Sequence, residues 1–398
     1  MTFPTSTPNW FDNSEAGAPV LNNAAGSLLD VLRACLIDGF NPQSVTSIVV
    51  ASGVATVTTT GTHGFSSAFG KLILVSGAGP SLLNGRKRIG NVTTNTFTYP
   101  APGVSDGTYT GTIEARRAPL GWSEPHTGTN VAMFARTAPE ATAMLLRVDD
   151  TANPSAAFAR VVMVESAIDV NTFSGACPTA AQLSGGGFLN KGAGNANPKT
   201  WVVCGNDRFI WIATEHPSGN FQGYNTMLYC FGDVATFGQP HPYACIIGIG
   251  TDAVTNPAAM NICRGQGMSQ QDGLGASTLM VARYSDLTTQ AMPVRPLSLW
   301  VDAQPFGSSN FTTAPLSSIR GAIHSEIYML ESATGARRHI FGRMPGFATP
   351  LFWTNDIKDQ YPTASVMPVG ERHYLPIYFR TPSTGGVLIS LEHGDWHA

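Results

Sequence analysis

"SVTSIVVASGVATVTTTGTHGF" occupies residues 44 to 65, and its rhythm sets the fold class. Val, Ile and Thr crowd both sides of Ser52-Gly53, which predicts two short strands joined by a tight turn. "KLILVSGA" (71–78) predicts a third strand, and Asn84-Gly85 reads as another tight-turn dipeptide. Thr94-Asn95 precedes the strand-like "FTY", and "GTYTGTIEARRAP" (107–119) closes the block. Five or six short strands without a helix, rich in Thr as half-exposed sheets are, predict a small β-barrel or sandwich over 44–116.

Upstream the rhythm differs. In "GAPVLNNAAGSLLDVLRACLIDGF" (17–40), Leu28, Leu32, Cys35 and Leu36 fall on one face of a helix of about three turns. Ser27 with Asp30 resembles a capping box, and Gly39 is placed to stop the helix. Leu28, Leu32 and Leu36 are therefore the candidate contact residues, docking on the chain's own β body or on a neighbouring copy.

Downstream, "NVAMFART" and "TAMLLRVDD" predict paired strands about Pro139, and "KTWVVCGNDRFIWIATEH" a hairpin with Gly205-Asn206-Asp207 at its tip. A Gly/Gln/Ser-rich loop is expected over 261–275. The sequence thus reads as mainly β, with β-sandwich or barrel-like modules and one short N-terminal helix. Its expected parts are an arm and helix (1–43), an inserted small β domain (44–116) and a main β-rich body (117–398).

Composition narrows the function. The 42 Gly and 27 Pro suit many turns. Charged residues make up 12%, about half the usual share. A chain so poor in charge either hides surface in subunit contacts, the reading adopted, or works where little solubility is demanded. A net charge of −3 without a basic run gives no support to a nucleic-acid surface. The N-terminus lacks the pattern of a signal peptide, and no run of about 18 apolar residues exists to span a membrane. The six cysteines form no CxxC pair and sit in apolar runs, as buried thiols of a reducing compartment do.

Motifs for chemistry fail one by one. "GFSSAFGKL" has Leu72 where a phosphate-binding loop needs a hydroxyl, and "GIGTDA" is followed by Pro257 where a helix should grow. No nucleophile elbow occurs. His393, Asp395 and His397 in "HGDWHA" have the spacing of a metal grip on a strand, but read better as a polar tail. Asp149 and Asp150 are adjacent and would face opposite sides of a strand, so they suit a turn better than a glycosidase pair. Glu165, Asp169, Asp302 and Glu326 are the other acids near strands. Trp201, Trp211, Tyr229, Trp300, Trp353 and Tyr374 could bind sugars and more commonly pack cores or seams.

The order of segments carries a resemblance. The helix stretch comes first, followed by "TVTTTGTHGF…LILVSGA…LNG…NTFTY", "RRAPLGW", "LLRVDD", "PTAAQLSGG", "WVVCGNDRFIWI" and "YCFGDVATF". Over about 17–235 this resembles a family of structural proteins encoded among the virion and tail genes of tailed bacteriophages and prophages. The insert alone resembles a small β module of phage tail proteins, through His63-Gly64 and Asn95 to Tyr99. The resemblance implies a virion component built in the bacterial cytoplasm and incorporated as several copies, and it implies no reaction. With the low charge, the expected reading is a non-enzymatic tail or baseplate part that contacts other copies of itself and other phage proteins. The resemblance implies no cofactor, metal or catalytic residue. A host-glycan adhesin or depolymerase and a capsid decoration protein are the alternatives.

Overall fold

The computed structural model describes residues 2–152, 155–192, 195–215, 226–236, 244–250, 278–283, 291–297, 325–332, 338–349, 361–379 and 385–397. The chain is mainly β, 47% strand against 7% helix, with one sheet forming a nearly closed barrel and the other a half-barrel. The loop expected over 261–275 lies outside the described residues.

The opening stretch is the hairpin Gln43–Ala51 and Val54–Thr59. Ser52 (φ 51°) and Gly53 (φ 75°) both take the left-handed conformation that a two-residue hairpin turn demands. A register shift between Val45 and Ser47 keeps Val45, Ile48 and Val50 all facing inward. The sheet runs Gly85–Arg88, Leu72–Ser76, Ile113–Arg117, Gln43–Ala51, Val54–Thr59, Thr96–Pro100, with Gly107–Tyr109 also on Gln43–Ala51. Gly90 and Thr98 exchange two backbone hydrogen bonds of 2.8 Å and draw the outer strands together. This barrel has its own core, including Ile48, Val57, Ile73 and Phe97.

Two local readings change. Asn84-Gly85 is not a two-residue turn: Val75 pairs with Gly85, and the loop between contains a short 3₁₀ turn, Ser81–Leu83. Asn84 closes that loop by accepting from the Ala78 amide (2.8 Å) and donating to the Ala78 carbonyl (2.6 Å). The His63 and Phe97–Tyr99 trace is core chemistry. His63 is 1% exposed, stacks on Phe65 and meets Phe97 edge-on, while Tyr99 Oη donates to the Leu83 carbonyl.

The half-barrel starts with Ser123–Gly128, Val131–Ala135, Leu145–Asp149, Phe158–Val164 and Gly187–Asn190. Its middle strands are Cys245–Gly250, Thr226–Asp233, Phe209–Glu215 and Trp201–Gly205, with the arm strand Asn9–Asp12 on the last. Both expected hairpins are present. Both faces of the middle strands are buried: Ile210 and Ile212 face one core, Phe209 and Trp211 the other. That is why "WVVC" and "FIWIA" read as unbroken apolar runs rather than alternating ones.

The helix Ser27–Arg33 continues as a wider π-type turn, Ala34–Asp38. Its last carbonyls are satisfied by the next segment of the body: the Leu120 amide donates to Cys35, and those of Gly121 and Trp122 donate to Leu36. Gly39 ends it with φ 71°, where a Cβ would lie 2.2 Å from the Arg117 carbonyl. On its outer side, Arg33 holds Glu124 through two hydrogen bonds of 2.7 and 2.9 Å, which lower the carboxyl below its ordinary range. That stability is complete above the ordinary glutamate range and is lost as pH falls through the lowered value. Glu124→Gln should therefore cost about 1 kcal/mol at pH 7. The difference should shrink as pH falls through the lowered value, read from denaturant titrations at a series of acid pH values.

Candidate functional site

Leu28, Leu32 and Leu36 are all 0% exposed and sit in the half-barrel core with Trp201, Ile212 and Phe231. They dock on the chain's own β body. The other expected placement, against a neighbouring copy, is not open to them, because no part of these side chains reaches the surface.

The start of the helix is organised from a distance. Gly26, not Ser27, is the capping position; it sits in the left-handed region at φ 86° and has no side chain with which to cap. Ser27 Oγ instead donates to the Asn22 carbonyl. The cap comes from Asp150, whose Oδ2 accepts from the Leu28 amide at 2.9 Å. Asp150 Oδ1 accepts from Lys191 Nζ at 2.5 Å, and both side chains are 0% exposed. Lys191 also donates to the Ala24 carbonyl. Burial pushes the Asp150 carboxyl up, with the Lys191 hydrogen bond opposing it. Asp149, by contrast, ends its strand by accepting from the Thr151 hydroxyl and from Arg147. The acids split between a turn and a buried cap, not a catalytic pair.

A second charge cluster joins the arm to the barrel. Lys71 forms ion pairs with Asp12 (2.7 Å) and Glu15 (3.1 Å), and Arg117 an ion pair with Glu15 (2.6 Å). Arg117 also donates to the Leu72 and Trp10 carbonyls, and Lys71 lies 3.9 Å above the Trp10 ring. Arg86 donates to the Pro4 and Thr7 carbonyls, and its burial lowers its pKa to about 10. In the body, Arg136 bonds Asp233 at 2.5 Å, with both side chains 0% exposed. Each cluster fixes one element to another.

The C-terminal "HGDWHA" is neither an alternating strand nor a polar tail. Gly394–His397 is a helical turn, Trp396 is 2% exposed in the body's second core, and Trp396 Nε1 donates to the Ser390 carbonyl. Asp395 accepts from Ser390 (2.5 Å) and from Arg372 (3.0 Å) at the rim of a small cleft also lined by Arg343, Phe347 and Tyr374. Among the described residues, no group of three or more His, Cys, Asp or Glu could hold a metal ion. Asp169 folds a turn by accepting from the Asn171 and Thr172 amides, which lower its pKa. Asp302 lies outside the described residues.

Trp201, Trp211, Tyr229 and Tyr374 are each at most 1% exposed, so these aromatics pack cores and offer no sugar platform. Trp300 and Trp353 lie outside the described residues. Cys35, Cys177, Cys204, Cys230 and Cys245 are buried thiols outside any disulfide. Burial pushes the Cys245 thiol up to about 12, and those of Cys204 and Cys230 higher. These five should resist a thiol reagent at pH 8 in the native chain and react fully in denaturant. Prompt native labelling mapped to any of them would contradict this packing.

Sequence reasoning missed Lys71, Arg117, Lys191 and Asp233. Each lies far along the chain from its partner, so no local spacing announced it. The chain matches no protein-family model and no curated protein. Among the described residues, no helix is long and apolar enough to cross a membrane.

Proposed function

We propose that the chain is a structural subunit of a tailed-phage particle, in the tail or baseplate, acting through subunit contacts and without turnover. One observation carries most weight. The chain has only 23 basic and 26 acidic residues. Eleven of these are buried among the described residues, most of them tying one element of the fold to another. The water-facing surface is therefore poorer in charge than composition alone suggests. Dry contact centres are depleted in charge in the same way. The ordered resemblance over residues 17–235 supplies the phage context.

The deep fixing of arm to barrel and body suits a part that bears load rather than one that opens around a substrate. Assembly from the bacterial cytoplasm accords with five buried thiols outside any disulfide. The test is a nonsense mutation in the gene of a phage that carries it. Particles should then stop at an incomplete stage visible by electron microscopy, and plasmid-borne protein should restore them. Complete, infectious particles without the protein would overturn the reading.

A further inference from the structure

We propose that Lys71 and Asp12 condense in the folded chain to an amide, a covalent cross-link between arm and barrel, with Glu15 carrying the proton. Such a bond forms from the fold alone, so the inference stands or falls apart from the assembly reading above.

Two ion pairs converge on one nitrogen. Lys71 immediately precedes the barrel strand Leu72–Ser76, and its Nζ lies 2.7 Å from Asp12 Oδ2 and 3.1 Å from Glu15 Oε1. The three side chains are each at most 7% exposed, and the Trp10 ring lies 3.9 Å from Nζ. Asp12 ends the arm strand, and its other oxygen, Oδ1, accepts from the Ser14 amide at 2.9 Å and from the Ser14 hydroxyl. Glu15 Oε1 also accepts from the Asp12 amide at 3.1 Å, while Oε2 pairs with Arg117 Nε at 2.6 Å. Glu15 is thereby fixed beside both reacting groups.

Acyl transfer needs a nucleophile against a carboxyl group, donors on the oxygen that gains charge, and a base within reach of the proton. All three are in place. Of the three protons on Lys71 Nζ, one passes along the ion pair to Asp12 Oδ2, which leaves amine and acid neutral. The nitrogen lone pair then bonds to Asp12 Cγ, and the carbonyl electron pair moves onto Oδ1, where Ser14 holds it. Glu15 takes the second proton from the nitrogen and returns it to the Oδ2 hydroxyl. The Oδ1 pair re-forms the carbonyl, the Cγ–Oδ2 bond breaks and water leaves. The third proton stays as the amide N–H, and nothing is oxidised or reduced.

Two physical effects favour the product. Groups held in contact by a fold react with an effective concentration of about 10⁵ M or more, which outweighs hydrolysis in a site closed to water. Condensation also removes one cation and one carboxylate from a buried set, and leaves Glu15 matched with Arg117. Lys191 and Asp150 are as close and as buried. Among the described residues, however, no second carboxylate bonds Lys191, so that pair has no proton carrier and stays ionic.

The intact mass of the purified full chain, followed by a tryptic digest in denaturant, tests the bond. The wild type should weigh one water less than its sequence. Its digest should contain a branched fragment that joins the segment ending at Arg33 to residues 34–86, uncut after Lys71. K71M should have its full sequence mass. E15Q should link about a hundredfold more slowly, leaving unlinked chain in the same digest soon after synthesis. A wild type at full sequence mass, cleaved normally after Lys71, would overturn the proposal whether or not the variants fold. So would a loss of one water that K71M still shows, because a ring closed at an aspartate elsewhere loses the same mass. An E15Q chain that links as fast as wild type would overturn the role given to Glu15. None of these outcomes bears on whether the protein enters particles.

Discussion

Asp150→Ala is expected to lower the unfolding free energy by about 3–5 kcal/mol, because it leaves the Lys191 ammonium buried without a counter-charge. It also removes the acceptor for the Leu28 amide, so the helix loses its cap. The two losses can be separated. Asp150→Asn keeps an acceptor near Leu28 but not the charge, and should fall between wild type and alanine. Asp150→Ala with Lys191→Met should recover much of the loss, since removing both charges is far cheaper than orphaning one. Denaturant midpoints for the four chains provide the check. A loss under about 1 kcal/mol for Asp150→Ala would mean that Lys191 reaches water, contrary to its 0% exposure.

Arg117→Ala should be comparably severe, about 3–5 kcal/mol, for a different reason. One guanidinium bonds Glu15 and the Trp10 and Leu72 carbonyls, and lies 5.0 Å from the Phe11 ring. Its loss removes several of the ties between arm and barrel at once, leaving those of Lys71 and Arg86. Arg117→Lys should not rescue it, because a single ammonium cannot serve carbonyls and carboxylate in several directions at once. Hydrogen exchange should report the damage first in Asn9–Asp12 and Leu72–Ser76, before the half-barrel strands loosen. Uniform acceleration across the chain would instead show that arm, barrel and body open as one unit.

Both predictions concern charges that no reading along the chain could pair. Local signals served well where the physics is local. The Ser52-Gly53 turn, the apolar face of the helix, the Gly39 stop and the hairpin about Asn206 each depend on neighbouring residues, and each is present in the fold. Failures came where a distant residue took over a local task. Ser27 looked like a cap, but Asp150 fills that role from more than a hundred residues away. Asn84-Gly85 looked like a tight turn, but the Asn84 side chain closes a longer loop. "HGDWHA" looked like a polar tail after the last strand, while helical winding buries Trp396.

The barrel was half legible. Its Thr and Val content was plain from the sequence, whereas which of these side chains fill its core was settled only by the register. Likewise, Leu28, Leu32 and Leu36 were legible as a contact set, but the partner turned out to be the chain's own sheet. In the assembly proposed above, contact with neighbours would fall to other, exposed surface.

The most direct test of the chain's place in a particle is quantitative mass spectrometry of gradient-purified phage from a host that carries the gene. The protein should band with infectivity at a fixed copy number of a few to a few dozen per particle, survive a high-salt wash, and keep that ratio between preparations. Its absence from the banded particles, with all of it recovered as soluble monomer, would contradict the account.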